Sequence, residues 1–336
     1  MPLFSQQKYT RLVFISIILL LTFFTAACGA ADSNSNNTAA NAGKNVTETP
    51  VAEATESPAN SDEVKTITTV NGDIEVPVHP QRIVAEEYLG SLIALNVIPV
   101  GAPGLTLENY YFKEALQGVA DTGIYGKPSA EQILGLTPDL IITANGDSYA
   151  QLSKIAPTIV IPFGDLKNAH EELTYFGELL GKEAEAKAWL EKYDERIAAA
   201  KAKVNAVIPA DATFSIMENA DNKTWVYGDN FGRGGQPVYQ ALGRTPPAEI
   251  KDEIMEKQWA EVSAEVLDKY AGDYIILTSN TLTVDDFKKE PIWSSLPAVK
   301  NGHLYVWTEE HSWYYDPIAV LAQTEELAEW LVNQAK

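Results

Sequence analysis

The sequence has a single cysteine and four histidines, so thiolate and imidazole metal ligands are scarce. Cys28 alone can form neither an intramolecular disulfide bond nor a cysteine-built metal site, and no two histidines are close enough to form a local chelate. Basic residues are also few, with 25 against 46 acidic ones and a net charge of -21. This balance argues against a nucleic-acid partner, because phosphates need a basic face. Gly-x-Ser-x-Gly, Walker and His-Glu-x-x-His motifs are absent, so no enzymatic activity is expected.

The longest uncharged apolar run, residues 12–24, is too short to span a bilayer comfortably. It follows Lys8 and Arg11, and this order predicts a signal peptide over residues 1–27. An ordinary secretory signal, removed without any role for Cys28, is one interpretation of this segment.

Residues 25–28 (TAAC) place small side chains directly before Cys28. This pattern resembles the processing site of bacterial lipoproteins, which implies lipid attachment at Cys28 and an anchor on the outer face of the cell membrane. Residues 28–63 are rich in Ala, Asn, Ser and Thr and lack aromatic residues. Such a segment buries too little apolar surface to offset its ordering entropy, so we predict a flexible, lipidated tether.

The rest of the chain predicts an α/β fold with two lobes. Residues 64–181 begin with a hairpin signal at Asn71-Gly72 and continue with short buried strands, including residues 97–100, that alternate with helices. Residues 182–208 contain no glycine or proline and repeat apolar residues every three or four positions, which predicts one long helix. The alternation restarts over residues 209–336, which we assign to a second α/β lobe.

A repeated signature supports the similarity of the two lobes. In the first lobe, Ser129-Ala130-Glu131 precedes Asp139 and a β-branched strand. In the second, Ser263-Ala264-Glu265 precedes Asp273 and another such strand at the same spacing. Two similar lobes on either side of a stiff helix predict a bilobed clamp. A surface helix on a single domain is the alternative that periodicity leaves open.

Several segments together resemble one family. Residues 80–84 (PQRIV), 131–142 (EQILGLTPDLII), 227–235 (YGDNFGRGG) and 293–302 (WSSLPAVKNG) are similar, in this order, to the helical-bridge solute-binding proteins of ABC importers. The Phe-Gly-Arg-Gly-Gly segment with a later Trp-Tyr-Tyr looks most like the receptors for iron(III)-hydroxamate siderophores. The resemblance implies the helical-backbone periplasmic-binding-protein fold, with two Rossmann-like lobes. It also implies a monomer that delivers its ligand, without changing it, to a permease with a separate ATPase.

The predicted ligand site lies between the lobes, beyond the carboxyl ends of the strands. A ferric trihydroxamate carries oxygens on one face and hydrocarbon on the other, so it suits a forked donor and flat aromatic walls. Iron is held by the siderophore, so neither a direct metal ligand nor a cofactor is expected. The residues predicted to contact the ligand are Glu87, Tyr88, Tyr227, Phe231, Arg233, Trp313 and Tyr314.

Some alternatives remain open within this reading. Glu86 could face the ligand in place of Glu87. A triply anionic catecholate complex is an alternative ligand, but it would need several cationic side chains in the cleft and not Arg233 alone. Haem would need Tyr88 or His311 at its iron, and cobalamin is a further possible ligand of this fold. A surface hydrolase or adhesin is a less favoured class.

Glu131 and Glu265 are predicted to serve a different purpose. At the matching positions of the family, one glutamate per lobe faces outward and meets arginines of the permease. A helix N-terminal carboxylate that only complements the macrodipole is the alternative.

Overall fold

A computed structural model describes residues 63–334. The predicted signal peptide, Cys28 and the tether up to residue 62 lie outside the described residues. The described part begins with an antiparallel hairpin of β1 (Val64–Thr69) and β2 (Gly72–Pro77). Gly72 has φ +95°, a conformation that favours glycine, and this explains the turn. The predicted hairpin is therefore confirmed.

The first lobe contains a parallel sheet with helices on its faces. Its further elements are β3 (Ile83–Ala85), α1 (Leu89–Ala94), β4 (Gly101–Ala102), α2 (Gly104–Leu107), β5 (Ala120–Asp121), β6 (Gly123–Ile124), β7 (Lys127–Pro128), α3 (Ala130–Gly135), β8 (Leu140–Thr143), α4 (Tyr149–Leu152), β9 (Thr158–Val160) and α5 (Ala169–Leu180). The strand order is β5-β4-β3-β8-β9, with all neighbours parallel, while β6 and β7 form a separate hairpin. Strands β3 and β8 are buried throughout, as expected of a sheet covered on both faces.

One predicted strand is wrong in position. Residues 97–100 were expected to form a strand, but the strand that pairs with β3 is Gly101–Ala102. Pro99 has no N–H to give to a ladder, and Ile98 is exposed. Pairing therefore begins only where Val100 N–H donates to Ile83 O at 2.8 Å.

The long helix is α6 (Glu183–Asn205), with 23 residues. At 1.5 Å per residue it is about 34 Å long. Ala186, near its N-terminus, belongs to the hydrophobic core of the first lobe, whereas Ala200 and Val204 belong to that of the second. One continuous helix therefore contributes to both cores, as the two-lobed interpretation requires.

The second lobe has a mixed sheet. Its elements are β10 (Phe214–Ala220), β11 (Lys223–Tyr227), a π-helical segment (Gln236–Ala241), α7 (Lys251–Lys257), β12 (Trp259–Val262), α8 (Leu267–Tyr270), β13 (Tyr274–Thr278), α9 (Val284–Phe287), α10 (Pro297–Lys300), β14 (Leu304–Trp307), α11 (Glu309–Ser312) and α12 (Pro317–Gln334). The order is β12-β11-β10-β13-β14. Strands β10, β13 and β14 run parallel, whereas β11 is antiparallel to both of its neighbours, β10 and β12. The reason is a two-residue turn at Asp221-Asn222, both with positive φ, which folds β11 back on β10.

The C-terminal helix α12 also connects the lobes. Ile318, in its first turn, packs against the first-lobe core, while Leu327, Ala328 and Leu331 belong to the second-lobe core. It lies against α6 along much of its length. Within residues 63–334, no helix is both long enough and apolar enough to cross a bilayer.

The repeated signature has a structural reason. The carboxylate of Asp139 accepts from the backbone N–H groups of Gln81 (2.6 Å) and Arg82 (2.9 Å), just before β3. In the second lobe, Asp273 accepts from the backbone N–H and the hydroxyl of Thr213, both at 2.8 Å, just before β10. In each lobe, the aspartate before one central strand therefore fixes the start of its parallel neighbour.

Candidate functional site

A cavity of about 320 Å³ lies between the lobes. The first lobe supplies the loop after β3 and helix α5, and the second lobe supplies the loop after β11 and the segment that leads into α12. The lining residues include Glu87, Tyr88, Tyr125, Phe163, Glu172, Arg233, Trp313, Tyr314, Tyr315 and Asp316. Five of the seven predicted ligand contacts (Glu87, Tyr88, Arg233, Trp313 and Tyr314) therefore line one cavity.

The arginine loop depends on its glycines. Gly232, Arg233 and Gly234 all have positive φ, at 73°, 58° and 94°. A Cβ on Gly232 would lie 2.3 Å from Trp313 O, and one on Gly235 would lie 2.1 Å from Gly228 O. The loop can therefore pack this closely only with glycine at these positions. Arg233 itself adopts the left-handed conformation, which is uncommon outside glycine and is favoured here by the contacts of its side chain.

Glu218 holds the guanidinium in place. It lies in β10, is 5 % exposed, and its Oε2 lies 3.2 Å from Arg233 Nε. The same carboxylate accepts from the hydroxyl of Tyr227 at 2.5 Å and from Trp313 Nε1 at 3.0 Å. Sequence reasoning missed Glu218, although its place near the carboxyl end of a buried strand was a usable signal.

Three aromatic rings surround the guanidinium. Its central carbon lies 4.8 Å from the ring centroid of Tyr227, 4.9 Å from that of Trp313 and 5.5 Å from that of Phe231. Tyr227 and Phe231 also stack on each other at 5.7 Å. Tyr227 and Phe231 are not among the described residues that line the cavity, although the ring centroid of Phe231 lies 5.8 Å from that of Phe163, which does line it. Their direct contact with a ligand stays a prediction.

The first-lobe wall is polar and acidic. Tyr88 has φ 64°, and its hydroxyl donates to Ile161 O at 3.0 Å, with its ring packed against Phe176. Glu87 lines the cavity and accepts a short hydrogen bond from the hydroxyl of Tyr125. Burial raises the pKa of Glu87 to about 7, and the neighbouring Glu86 contributes to the shift. Glu86 accepts from the Thr122 hydroxyl at 2.7 Å and is not among the described residues that line this cavity. Which of the two glutamates contacts a ligand stays a prediction.

Two further carboxyl groups that the sequence analysis did not predict line the cavity, Glu172 from the first lobe and Asp316 from the second. Glu172 is 2 % exposed and accepts from the hydroxyl of Ser91 at 2.5 Å. Burial raises its pKa to about 8. Asp316 accepts from the backbone N–H groups of Ile318 and Ala319 at the start of α12, and burial raises its pKa to about 6. The cavity thus has more carboxyl groups than cations, since Arg233 is the one basic residue among the described residues that line it.

His311 lies beside the cavity. Its ring centroid is 3.9 Å from that of Tyr110, and its backbone O accepts from the hydroxyl of Tyr111 at 2.6 Å. It is not among the described lining residues. Within residues 63–334, no group of three or more His, Cys, Asp or Glu side chains could hold a metal ion.

The two glutamates of the repeated signature are both exposed. Glu131 lies in the first turn of α3, which Ser129 caps by accepting from Gln132 N–H. Glu265 lies in a short 3₁₀ segment, Ala264–Val266, that leads into α8. Because α3 precedes β8 and α8 precedes β13, the two carboxylates occupy corresponding places in the two lobes. A role in docking stays a prediction.

The fold and the cleft between lobes define a substrate-binding protein, and comparison with known proteins identifies its family. Residues 83–311 match the family described as periplasmic binding protein, and the chain belongs to that family.

The relatives agree with this assignment. The chain is 32% identical over 333 residues to the iron(3+)-hydroxamate-binding protein YxeB of Bacillus subtilis, covering 97% of this chain and 98% of that protein. It is 36% identical over 271 residues to the iron(3+)-hydroxamate-binding protein FhuD of the same organism, covering 78% and 85%. Among solved structures, FhuD2 from Staphylococcus aureus with bound ferrioxamine B is similar with a TM-score of 0.69 and 31% identity, covering 76% of this chain and 100% of that one.

Proposed function

We propose that this chain is an extracytoplasmic substrate-binding lipoprotein that captures a ferric siderophore of the hydroxamate class between its lobes. It delivers this ligand to the permease of an ABC importer. The observation that carries the proposal is the oriented guanidinium of Arg233 at the cavity, held by buried Glu218 and surrounded by aromatic rings. Relatives named for iron(3+)-hydroxamate binding support the same ligand class.

The chemistry of the cavity suits such a ligand. An arginine fork donates to oxygen atoms in fixed directions, and the hydroxamate oxygens around iron offer acceptors on one face. Trp313, Tyr314 and Tyr315 offer flat surfaces for the hydrocarbon part of the chelate. The ligand needs no protein atom at the iron, since its own oxygens fill the coordination sphere.

The charge of the cavity separates hydroxamates from catecholates. Glu87, Glu172 and Asp316 line it together with the single basic residue named above. At neutral pH, Glu172 keeps its proton because burial raises its pKa to about 8, whereas Asp316 and a share of Glu87 are ionised. A triply anionic complex would therefore meet like charge with Arg233 as the counter-charge, whereas a near-neutral ferric trihydroxamate would not. Haem is disfavoured because the hydroxyl of Tyr88 is bonded to Ile161 O and the ring of His311 packs on Tyr110.

Delivery and anchoring complete the proposal. Exposed Glu131 and Glu265, in corresponding places of the two lobes, would meet the two halves of a permease whose ATPase is a separate protein. Cys28 would bear the lipid that keeps the protein on the outer face of the cell membrane. The protein would act as a monomer and release its ligand unaltered.

The test is a titration of the purified protein with ferrioxamine B, ferrichrome, ferric enterobactin, haem and cobalamin, followed by tryptophan fluorescence. Because Trp313 lines the cavity, a ferric hydroxamate should quench its emission, and Trp313→Phe should lose most of that signal. Trp259→Phe is the matched control, since Trp259 is exposed on the edge strand β12. Absence of binding to every hydroxamate, or chemical conversion of one, would refute the proposal.

A further inference from the structure

A second pocket, of about 220 Å³, adjoins the main cavity on the first-lobe side. We call it the Glu86 pocket. Its lining residues are Glu86, Glu87, Tyr125, Gly126, Pro128, Thr143, Ala144, Asn145, Ser148 and Phe163. Glu87, Tyr125, Ala144 and Phe163 also line the main cavity, so the two spaces share a wall. At roughly 30 Å³ for one water molecule, the pocket is large enough for a short chain of heavy atoms.

Glu86 is the unusual residue of this pocket. It is 4 % exposed, and its Oε1 accepts from the hydroxyl of Thr122 at 2.7 Å. Its Oε2 is buried and has no hydrogen-bond partner among the described residues. A buried carboxyl oxygen without a partner is costly, because the bonds lost to water are not replaced. Such an atom indicates a donor that the protein itself does not supply.

The other polar groups of the pocket do not supply this donor. The side-chain amide of Asn145 donates to Gly126 O at 3.1 Å, and its Oδ1 accepts from Asp147 N–H at 3.0 Å. The carboxylate of Glu87 is bonded to the hydroxyl of Tyr125. Among the described residues that line the pocket, none is basic. The pocket therefore presents two adjacent carboxyl groups without a compensating cation.

We propose that the Glu86 pocket binds an alkylammonium end of the siderophore, so that the site selects ferric hydroxamates that carry a positive charge. An ammonium group supplies three N–H donors and the missing charge. Phe163 and Ala144, which line both spaces, mark the side from which its alkyl chain would enter from the main cavity. This inference rests on the proposed function and narrows it to one class of hydroxamate.

The experiment compares two ligands that differ only at this end. Ferrioxamine B has a free terminal ammonium group, and its N-acetylated derivative is the neutral counterpart with the same iron centre. The wild-type protein should bind ferrioxamine B about tenfold or more tightly than the acetylated form, as expected of a charged hydrogen bond. In Glu86→Gln, the ratio of the two dissociation constants should approach one. Glu195→Gln, with an exposed carboxylate on α6, should keep the wild-type ratio.

The outcomes separate this inference from the function on which it rests. Equal affinity of the wild-type protein for the two ligands would overturn the inference and leave siderophore capture intact. A preference that persists in Glu86→Gln would overturn the assignment of the ammonium to this pocket. Failure of both ligands to bind would refute the proposed function and the inference together. If Glu86→Gln does not fold, the wild-type comparison of the two ligands still decides whether a cation is preferred.

Discussion

Replacing Glu172 by glutamine should stabilise the protein at neutral pH and have little effect at acidic pH. Glu172 lies in α5, is 2 % exposed, and its carboxyl group is bonded to the hydroxyl of Ser91. Burial raises its pKa from 4.5 to about 8, with smaller contributions from Asp316 and Glu87. Glutamine has nearly the same shape and can still accept from Ser91, but it does not ionise.

The sign follows from proton binding in the two states. Between pH 4.5 and about 8, the folded protein keeps a proton on Glu172 that the unfolded chain has lost. The free energy of unfolding therefore falls as pH rises through this window and levels off above it. At pH 7, which lies about 2.5 units above the unfolded pKa of 4.5 and below the folded pKa, the cost to the wild type is roughly 3 kcal/mol. This is an upper value for the gain in the variant, because the new amide N–H groups need partners.

Urea unfolding of the wild-type protein and Glu172→Gln at pH 4.5, 6, 7 and 8 measures this effect. The variant should gain about 2–3 kcal/mol at pH 7, and the gain should vanish near pH 4.5. Glu195→Gln, at an exposed site, should differ from the wild type by less than about 0.5 kcal/mol at each pH. A gain for Glu172→Gln that is the same at every pH would refute the reasoning, because a pH-independent effect cannot come from ionisation.

The remaining predictions concern ligand binding, delivery and closure. Arg233→Ala should weaken ferric hydroxamate binding by about 1.5–3 kcal/mol, the range of a charged hydrogen bond, and unchanged affinity in isothermal titration would remove Arg233 from the site. Arg196→Ala, which removes an exposed ion pair between α6 and α12, should leave the affinity unchanged. Glu131→Ala and Glu265→Ala should keep ligand affinity but slow radiolabelled iron uptake by cells, and normal uptake by the double variant would exclude docking through them. Because α6 and α12 both connect the lobes, the ligand should change the radius of gyration in X-ray scattering only slightly, and a large decrease would contradict this.

Local patterns in the sequence predicted the two-lobed architecture, although periodicity alone left open a surface helix on a single domain. The long helix has no residue that breaks it, and its apolar positions are periodic, so its existence depends on local propensity and burial. The repeated aspartates were visible as a spacing, and in the structure Asp139 and Asp273 play the same part at the start of the central strands. The glycines around Arg233 were visible in the sequence as part of the family resemblance, and in the structure Gly232 and Gly234 have the positive φ that favours glycine.

Other features required the tertiary structure, because they depend on contacts between residues distant in sequence. Glu218, which holds Arg233, is a strand residue whose importance comes from the charge that folding places beside it. Contacts between distant residues also place Tyr227 against Arg233 and bring Glu172 and Asp316 to one cavity. The packing of α12 on the cores of both lobes depends on such contacts too. The sequence by itself determined which segments form helices, strands and glycine turns, since those preferences act within a few residues. Which side chains share a buried space was decided by the packing of the lobes, and that packing sets the charge, the pKa values and the proposed selectivity of the cleft.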